Sequence, residues 1–232
     1  MSKFLISSEN NNMSHQDFEK YADEKPFNYS VPENFQIYFN KCIKNLNKPL
    51  PSIKILDFGC GSGKHYPFFT DSGFLPDNIY GVEVSKKRIE KCQNIGWEKS
   101  YFIEGAKLPF ADNEFDIVNV AEVIEHIPFD KIEDIFLDLV RVIKKDGFSI
   151  ITTPNYPIKR FYDILDVIVS GKWARMKDDS THVSHYSIKK LRNFLNKYFK
   201  SVEIVPYKYG FYNKFKKDFF LHKMLAICSD KK

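Results

Sequence analysis

The chain has 232 residues, of which 43% are hydrophobic, 28% charged and 16% aromatic. This length favours one globular domain, and the apolar content can build a core, which excludes wholesale disorder. No apolar run approaches the roughly 20 residues of a membrane span, and the start MSKFLISSEN has no secretory-signal features. The four cysteines form no CxxC pair, so we expect a cytoplasmic protein without disulfides or a cysteine zinc site.

The formal net charge of +5 is carried by the C-terminal part of the chain, which has eight lysines and three acids from Phe199 onward. Such a basic segment is usually a solvated surface, and contact with phosphates or an anionic membrane is the alternative.

The predicted elements alternate between strands and helices. Residues 1–30 are polar and predict a mobile N-terminal segment, whereas 31–232 form the domain. Apolar positions at helical spacing predict a helix over Glu33–Leu46. Short apolar runs then predict buried strands at Ile53–Phe58, Ile79–Val84, Phe115–Val120 and Phe148–Thr152. Helices are predicted around 64–72, 85–95, 130–144 and 187–199, with Lys144 to Gly147 closing the third. This order indicates a mostly parallel α/β sheet covered on both faces.

A glycine loop, DFGCGSG, follows the first predicted strand and spans Asp57 to Gly63. Glycines there allow a tight turn and close approach to a ligand, but a dinucleotide fingerprint needs a glycine where Lys64 stands. The carboxylate of Asp57 would repel a pyrophosphate and attract an ammonium group. The loop therefore predicts a site for S-adenosylmethionine (SAM), a nucleoside with a cationic tail and no phosphate.

Glu83 ends the second predicted strand, 20 residues beyond Gly63. A carboxylate at that edge of a parallel sheet can accept hydrogen bonds from ribose hydroxyls.

The segment from about Ile53 to Ile151 resembles the class I SAM-dependent methyltransferases, particularly the small-molecule branch with UbiE- and UbiG-like enzymes. The likeness lies in ILDFGCGSG, YGVEVS, LPFADNEFDIV, EVIEHI and RVIKKDGFSIITTPN. It implies a Rossmann-like, doubly wound sheet of seven strands, mostly parallel, with an antiparallel last strand near Met224–Cys228.

The resemblance also assigns cofactor contacts to particular residues. The glycines of the loop would line the methionine part of SAM, with Asp57 near its amino group and Glu83 on the ribose. Glu104, four residues before Leu108, would meet the adenine, although Ile103 stands where the family has glycine. Asn119, in the fourth strand, would face the methyl donor. The cofactor-binding residues expected are Asp57, Gly59, Gly61, Gly63, Glu83, Glu104 and Asn119.

Glu122, Glu125 and His126 lie in AEVIEHI, where we expect a helix to bring all three onto one face. Three roles stay open. His126 could be a general base, with Glu122 beside it. The three could instead hold a divalent ion such as Mg, as the resemblance to ubiquinone O-methyltransferases implies, although no metal is the favoured expectation. They could also be purely structural.

His182 and His185 precede the last predicted helix, and His185 is the third catalytic candidate. An insertion at about 156–181 with an apolar helix face predicts a lid over the acceptor, and peripheral membrane contact is a lesser alternative.

We expect methyl transfer to a small molecule. The favoured acceptor atom is a hydroxyl oxygen of a sugar, polar metabolite or quinone precursor. No nucleic-acid partner is expected, since no Asn/Asp-Pro-Pro-aromatic motif follows the fourth strand. The alternatives are a non-catalytic partner subunit with this fold, or an enzyme acting on RNA or protein.

Overall fold

The computed structural model describes residues 30–156, 158–160, 164, 181–207 and 223–232. The predicted mobile segment at 1–30 and the predicted lid at 156–181 lie almost entirely outside these ranges.

Seven described strands form one sheet in the order β3-β2-β1-β4-β5-β7-β6. Their bounds are β1 Ile55–Phe58, β2 Ile79–Glu83, β3 Ser100–Phe102, β4 Phe115–Ala121, β5 Ile143–Pro154, β6 Phe199–Pro206 and β7 Lys223–Lys231. Strands β1 to β5 pair in parallel, whereas β7 runs antiparallel between β5 and β6. The predicted Rossmann-like sheet with an antiparallel last strand is confirmed, and that strand is longer than expected.

Five described helices accompany the sheet: α1 Glu33–Leu46, α2 Tyr66–Asp71, α3 Lys86–Asn94, α4 Ile132–Val142 and α5 Ile188–Leu195. Ser187 caps α5 as predicted, because its hydroxyl accepts a hydrogen bond from the N–H of Lys190. Ser85 caps α3 in the same way through the N–H of Arg88. Among the described residues, no helix is both long and apolar enough to cross a membrane.

The prediction that Lys144 to Gly147 close a helix is wrong, because α4 ends at Val142 and β5 begins at Ile143. Lys144 instead donates to the buried carboxylate of Asp116 at 2.8 Å. Gly147 lies so close to β4 that an added Cβ would stand 2.8 Å from the carbonyl oxygen of Asp116. The glycine therefore permits close strand contact and does not cap a helix. The short strand β3 and strand β6 were not predicted.

The core lies on both faces of the sheet, and alternation along the strands decides which side chain faces which layer. Leu56 and Val118 pack in the cluster that contains α4 and α5, whereas Ile55 and Ile117 pack with the aromatic cluster of α1 and α2. Asp57 and Asn119 share the parity of Ile55 and Ile117, so both point toward the α1 side. The cofactor candidates on β1 and β4 thus lie on the same face.

Candidate cofactor and active site

The glycine loop follows β1 and lies against the end of β2. The backbone N–H groups of Gly59 and Cys60 both donate to the carbonyl of Val82, at 2.8 and 3.0 Å. Gly59, Gly61 and Gly63 have φ values of +69°, +57° and +87°, in the left-handed region that glycine tolerates best. A Cβ at Gly59 would stand 2.4 Å from Cγ2 of Val123, whereas a Cβ at Gly61 would meet no atom of the described residues within 4 Å. The loop therefore leaves open space at Gly61, where a ligand can approach the backbone.

Asp57 and Asn119 form a buried polar pair beneath this loop. They are register partners on β1 and β4, and Nδ2 of Asn119 donates to Oδ1 of Asp57 at 2.7 Å. Oδ2 of Asp57 and Oδ1 of Asn119 are buried without a hydrogen-bond partner among the described residues. An unpaired buried acceptor costs about 1–3 kcal/mol, so two at one place favour a ligand that brings positively charged N–H donors.

His65 is the third member of this buried group and was not predicted. Its Nδ1 lies 3.6 Å from Oδ2 of Asp57 and 3.4 Å from Nδ2 of Asn119. Nε2 is buried and has no partner in the described part of the chain. The ring packs against Phe35 of α1, with centroids 5.4 Å apart. His65 thus connects the cofactor side of β1 to α1; its place two residues after the glycine loop was the only sequence signal for it.

Glu83, at the end of β2, holds the glycine loop with its carboxylate. Oε2 accepts from the N–H of Gly61 at 2.9 Å, and Oε1 accepts from the N–H groups of Val84 and Ser85 at 2.8 and 3.2 Å. A carboxylate offers about four acceptor positions. Beside these three donors, Nη1 of Arg88 lies 3.7 Å from Oε2, so at most about one position remains for a ribose hydroxyl. Glu83 therefore has a structural duty beside the predicted ribose role.

Glu104, the predicted adenine contact, lies in the loop after β3 and is exposed. Asn119, the predicted neighbour of the methyl donor, is fully buried and donates to Asp57.

The turn after β4 differs from the predicted helix. Residues Ile124–His126 form one 3-10 turn, and the chain is extended at Ile127, because the following Pro128 disfavours helical backbone at the residue before it. Glu122 stands at φ 58° and is held by an ion pair with Lys223 and a hydrogen bond from Thr152 at 3.0 Å. The expectation that Glu122, Glu125 and His126 share one helical face is therefore wrong.

Glu125 is fully buried at this turn. Oε2 accepts from the Thr153 hydroxyl at 3.0 Å, whereas Oε1 has no hydrogen-bond partner among the described residues. Burial, and secondarily the charge of Glu122, raises the pKa of Glu125 well above its usual range. Burial and then the nearby Glu125 likewise raise the pKa of Tyr186.

His126 is oriented by Thr181, a residue 55 positions away. Its Nδ1 lies 3.0 Å from the carbonyl oxygen and 2.8 Å from the hydroxyl of Thr181. A carbonyl only accepts, so Nδ1 carries the proton and the lone pair of the neutral ring lies on Nε2.

His182, not His185, joins this group. The rings of His126 and His182 have centroids 4.9 Å apart, and Nδ1 of His182 lies 2.9 Å from the Tyr156 hydroxyl. Glu125, His126 and His182 each place one ligand atom within 4.8 Å of the others. His185 is exposed and stacks on Tyr156 at 4.1 Å. No local sequence pattern marked three further residues of this site, because only the fold brings them to the turn: Tyr156, Thr181 and Lys223.

Comparison with known proteins agrees with this geometry. Residues 56–151 match the family described as a methyltransferase domain. The ubiquinone biosynthesis O-methyltransferase of Rickettsia bellii (strain OSU 85-389) is 28% identical over 149 residues, which cover 62% of this chain and 59% of that protein. A sterol 24-C-methyltransferase of Schizosaccharomyces pombe is 31% identical over 104 residues, which cover 42% of this chain and 26% of that protein. The crystal structure of a SAM-dependent methyltransferase from Archaeoglobus fulgidus has a TM-score of 0.58 at 17% identity, over 86% of this chain and 94% of that one.

The fold and the glycine loop, together with the match of residues 56–151 to the family described as a methyltransferase domain, make this part of the chain similar to class I SAM-dependent methyltransferases, as the sequence resemblance predicts. The chain spans about 59% of the length of the ubiquinone O-methyltransferase that it matches. The cofactor of this class is SAM, and the residues present fit it: the loop is open at Gly61, and two unpaired buried acceptors lie beneath the loop for the ammonium group.

Proposed function

We propose that this chain transfers the methyl group of SAM to an oxygen atom of a small-molecule acceptor. The buried Asp57 and Asn119 pair carries the cofactor half of the proposal, because its two unpaired acceptor atoms match an ammonium group and would repel a phosphate. Glu83 takes a ribose hydroxyl, and the exposed Glu104 takes the adenine amino group.

Methyl transfer is an in-line displacement at the carbon of a sulfonium, and the leaving group is a neutral thioether. The chain's main task is therefore to hold the acceptor oxygen in line with the methyl group, which replaces a costly bimolecular encounter. Val123 packs against the glycine loop at Gly59, so the turn that carries Glu125 and His126 directly adjoins the cofactor loop. The acceptor oxygen belongs between this turn and the methyl group.

A hydroxyl acceptor must lose a proton, and this favours His126 as the group that receives it. The Thr181 carbonyl fixes the tautomer of His126 with its lone pair on Nε2. A general base contributes about 10²–10⁴-fold to such a step. Methylation at carbon, as the name of the sterol relative states for that protein, gains less from a base, so the histidine favours oxygen.

The test is an acceptor screen with methyl-labelled SAM and the whole chain. Phenols, catechols and sugar alcohols are offered in parallel with their amine analogues, and label transfer is followed by mass spectrometry. Transfer to hydroxyl acceptors, lost in His126→Gln, supports the proposal. Transfer only to amines or to carbon, or no dependence on His126, contradicts it.

A further inference from the structure

We propose that His65 is a further cofactor-binding residue, whose Nε2–H donates to the carboxylate of the methionine part of SAM beside the ammonium group on Asp57. This inference rests on the proposed SAM site and deepens it. His65 lies two residues beyond the glycine loop and is only 5% exposed. Its ring lies next to Asp57 and Asn119, and its Nε2 atom has no hydrogen-bond partner among the described residues.

The contacts of Nδ1 decide which nitrogen of His65 carries the proton. Nδ1 lies 3.4 Å from Nδ2 of Asn119, and because a side-chain amide nitrogen only donates, Nδ1 is the acceptor. The other contact of Nδ1, with Oδ2 of Asp57, is 3.6 Å long, which is too long for a hydrogen bond. A neutral imidazole has one N–H. The proton of the neutral ring therefore lies on Nε2, which becomes a donor.

The hydrogen bonds within this buried group leave two acceptors and one donor without a partner in the described part of the chain. One hydrogen of the Asn119 amide goes to Oδ1 of Asp57, and the other goes to Nδ1 of His65. The atoms that remain are Oδ2 of Asp57, Oδ1 of Asn119 and the Nε2–H of His65. Each unpaired buried polar atom costs free energy. Together the three match a ligand that brings both donors and an acceptor.

The amino-acid end of SAM has this combination of groups, because it carries an ammonium and a carboxylate on the same carbon atom. The ammonium supplies donors for the oxygens of Asp57 and Asn119, and the carboxylate accepts from Nε2 of His65. Asp57 alone would repel that carboxylate, so a donor beside it is needed to hold both charges.

The surroundings of the ring support this role. The phenyl rings of Phe35 and Phe69 pack next to the imidazole of His65, with centroids 5.4 and 6.1 Å away. They hold the ring in place and bring no charge that would compete for its N–H. A donor held in a buried apolar setting binds a carboxylate more strongly than one in water does. His65 should therefore distinguish SAM from nucleosides that lack the carboxylate.

Calorimetric titration of the whole chain with two ligands tests this role without turnover. The ligands are S-adenosylhomocysteine and its decarboxylated analogue, which keeps the ammonium group. The wild type should bind S-adenosylhomocysteine about 10–100-fold more tightly than the analogue, as expected for a charge-assisted hydrogen bond. His65→Asn keeps a polar group facing Asn119 but loses the donor at the Nε2 position. It should bind S-adenosylhomocysteine about 10–100-fold more weakly than the wild type does, and the analogue within about twofold.

Two further variants separate the lost donor from disturbed packing. His65→Gln places an amide nitrogen near the Nε2 position and should recover most of the affinity for S-adenosylhomocysteine. Phe35→Leu disturbs the packing of the ring and keeps the donor, so any loss of affinity should be equal for the two ligands.

The outcomes distinguish this inference from the proposed function. An equal loss for both ligands in His65→Asn, or no loss for either, would overturn the role of His65 and leave the cofactor site in place. Equal affinity of the wild type for the two ligands would overturn it as well, without any variant. Absence of S-adenosylhomocysteine binding to the folded wild type would overturn the proposed function together with this inference.

Discussion

The side-chain amide of Asn119 donates to the carboxylate of Asp57 at 2.7 Å and leaves Oδ2 of Asp57 without a hydrogen-bond partner among the described residues. Two neighbouring strands thus hold a carboxylate in one orientation beneath the glycine loop. The pair is preorganised for a cation, since its geometry exists before any ligand binds.

The Asp57→Asn variant tests this pair. The substitution keeps the size and the hydrogen bond from Asn119 but removes the negative charge, so SAM should bind about 10–100-fold more weakly, as expected for a charge-assisted hydrogen bond. 5′-Methylthioadenosine lacks the amino-acid part of SAM and should bind both proteins equally by calorimetry. Equal weakening of the two ligands would remove Asp57 from the ammonium site.

Two alanine substitutions in the glycine loop should distinguish the loss of room for the cofactor from the destabilisation of the loop itself. Gly61→Ala costs about 1–2 kcal/mol because the backbone there is left-handed, and its Cβ meets no neighbour within 4 Å in the part of the chain that the structure describes. Its Cβ fills the space proposed for the cofactor. The free energy of SAM binding should therefore weaken by more than the free energy of unfolding. Gly59→Ala adds a clash with Val123 and should lose about 1–3 kcal/mol more stability than Gly61→Ala. Urea unfolding and SAM titration of both variants provide the comparison, and an unchanged affinity in Gly61→Ala would contradict the open cradle.

His126→Gln should lower kcat about 10²-fold or more for a hydroxyl acceptor, because proton removal loses its base. SAM affinity should stay within about twofold, since His126 lies outside the Asp57 group. Steady-state kinetics over a pH series, beside a cofactor titration, measures both quantities. A loss that appears only in KM would assign His126 to acceptor binding and not to proton transfer.

Asp116, which joins β1, β4 and β5, should matter for stability. Its buried carboxylate accepts from Lys48 at 2.8 Å, from Lys144 at 2.8 Å and from the backbone N–H of Lys54 at 2.9 Å. Burial raises the pKa of Asp116, but the two lysines and the N–H outweigh it, so the pKa is lowered overall. Asp116→Asn should therefore cost about 1–3 kcal/mol of unfolding free energy at neutral pH, allowing for the partial exposure of both lysines.

The sign of the pH effect follows from that lowered pKa. The unfolded chain binds the proton first, at about pH 4, so the contribution of Asp116 is complete above that pH and disappears as the pH falls through the folded pKa. The difference between wild type and Asp116→Asn in urea should therefore shrink below about pH 4. Asp146→Asn removes a mostly exposed partner of Lys48 and should cost less than about 1 kcal/mol. A difference that grows on acidification would contradict this ion cluster.

The geometry of the candidate cofactor half of the site could be predicted from sequence because it is local. Asp57, the three glycines and Glu83 each follow a buried strand at a fixed spacing, and parallel strands bring their carboxyl ends to one edge. The acceptor half could not. Thr181 reaches His126 across 55 residues, and the burial of Glu125 depends on how two segments pack. Pro128 is a sequence signal against a helix at Glu122 to His126, because helical backbone is disfavoured at the residue before a proline.

Strand boundaries were predicted wrongly where tertiary packing overrides the local sequence preference for secondary structure. Basic residues in a last turn followed by Asp-Gly predict a helix end at Lys144 to Gly147. Pairing of β5 with β4 and the ion pair of Lys144 with Asp116 decide otherwise. Such tertiary contacts are absent from a local pattern.

The most direct measurement is a calorimetric titration of the whole chain with S-adenosylhomocysteine, beside Glu83→Gln and Glu83→Ala. Saturable binding to the wild type is expected, weakened about 10–100-fold in the variants by lost charge-assisted hydrogen bonds. Thermal unfolding of the same samples measures any stability lost with the hydrogen bond from the N–H of Gly61 to the Glu83 carboxylate. Absence of binding to a folded wild type would contradict a SAM site at this loop. Binding by both folded variants that is as tight as binding by the wild type would contradict it too.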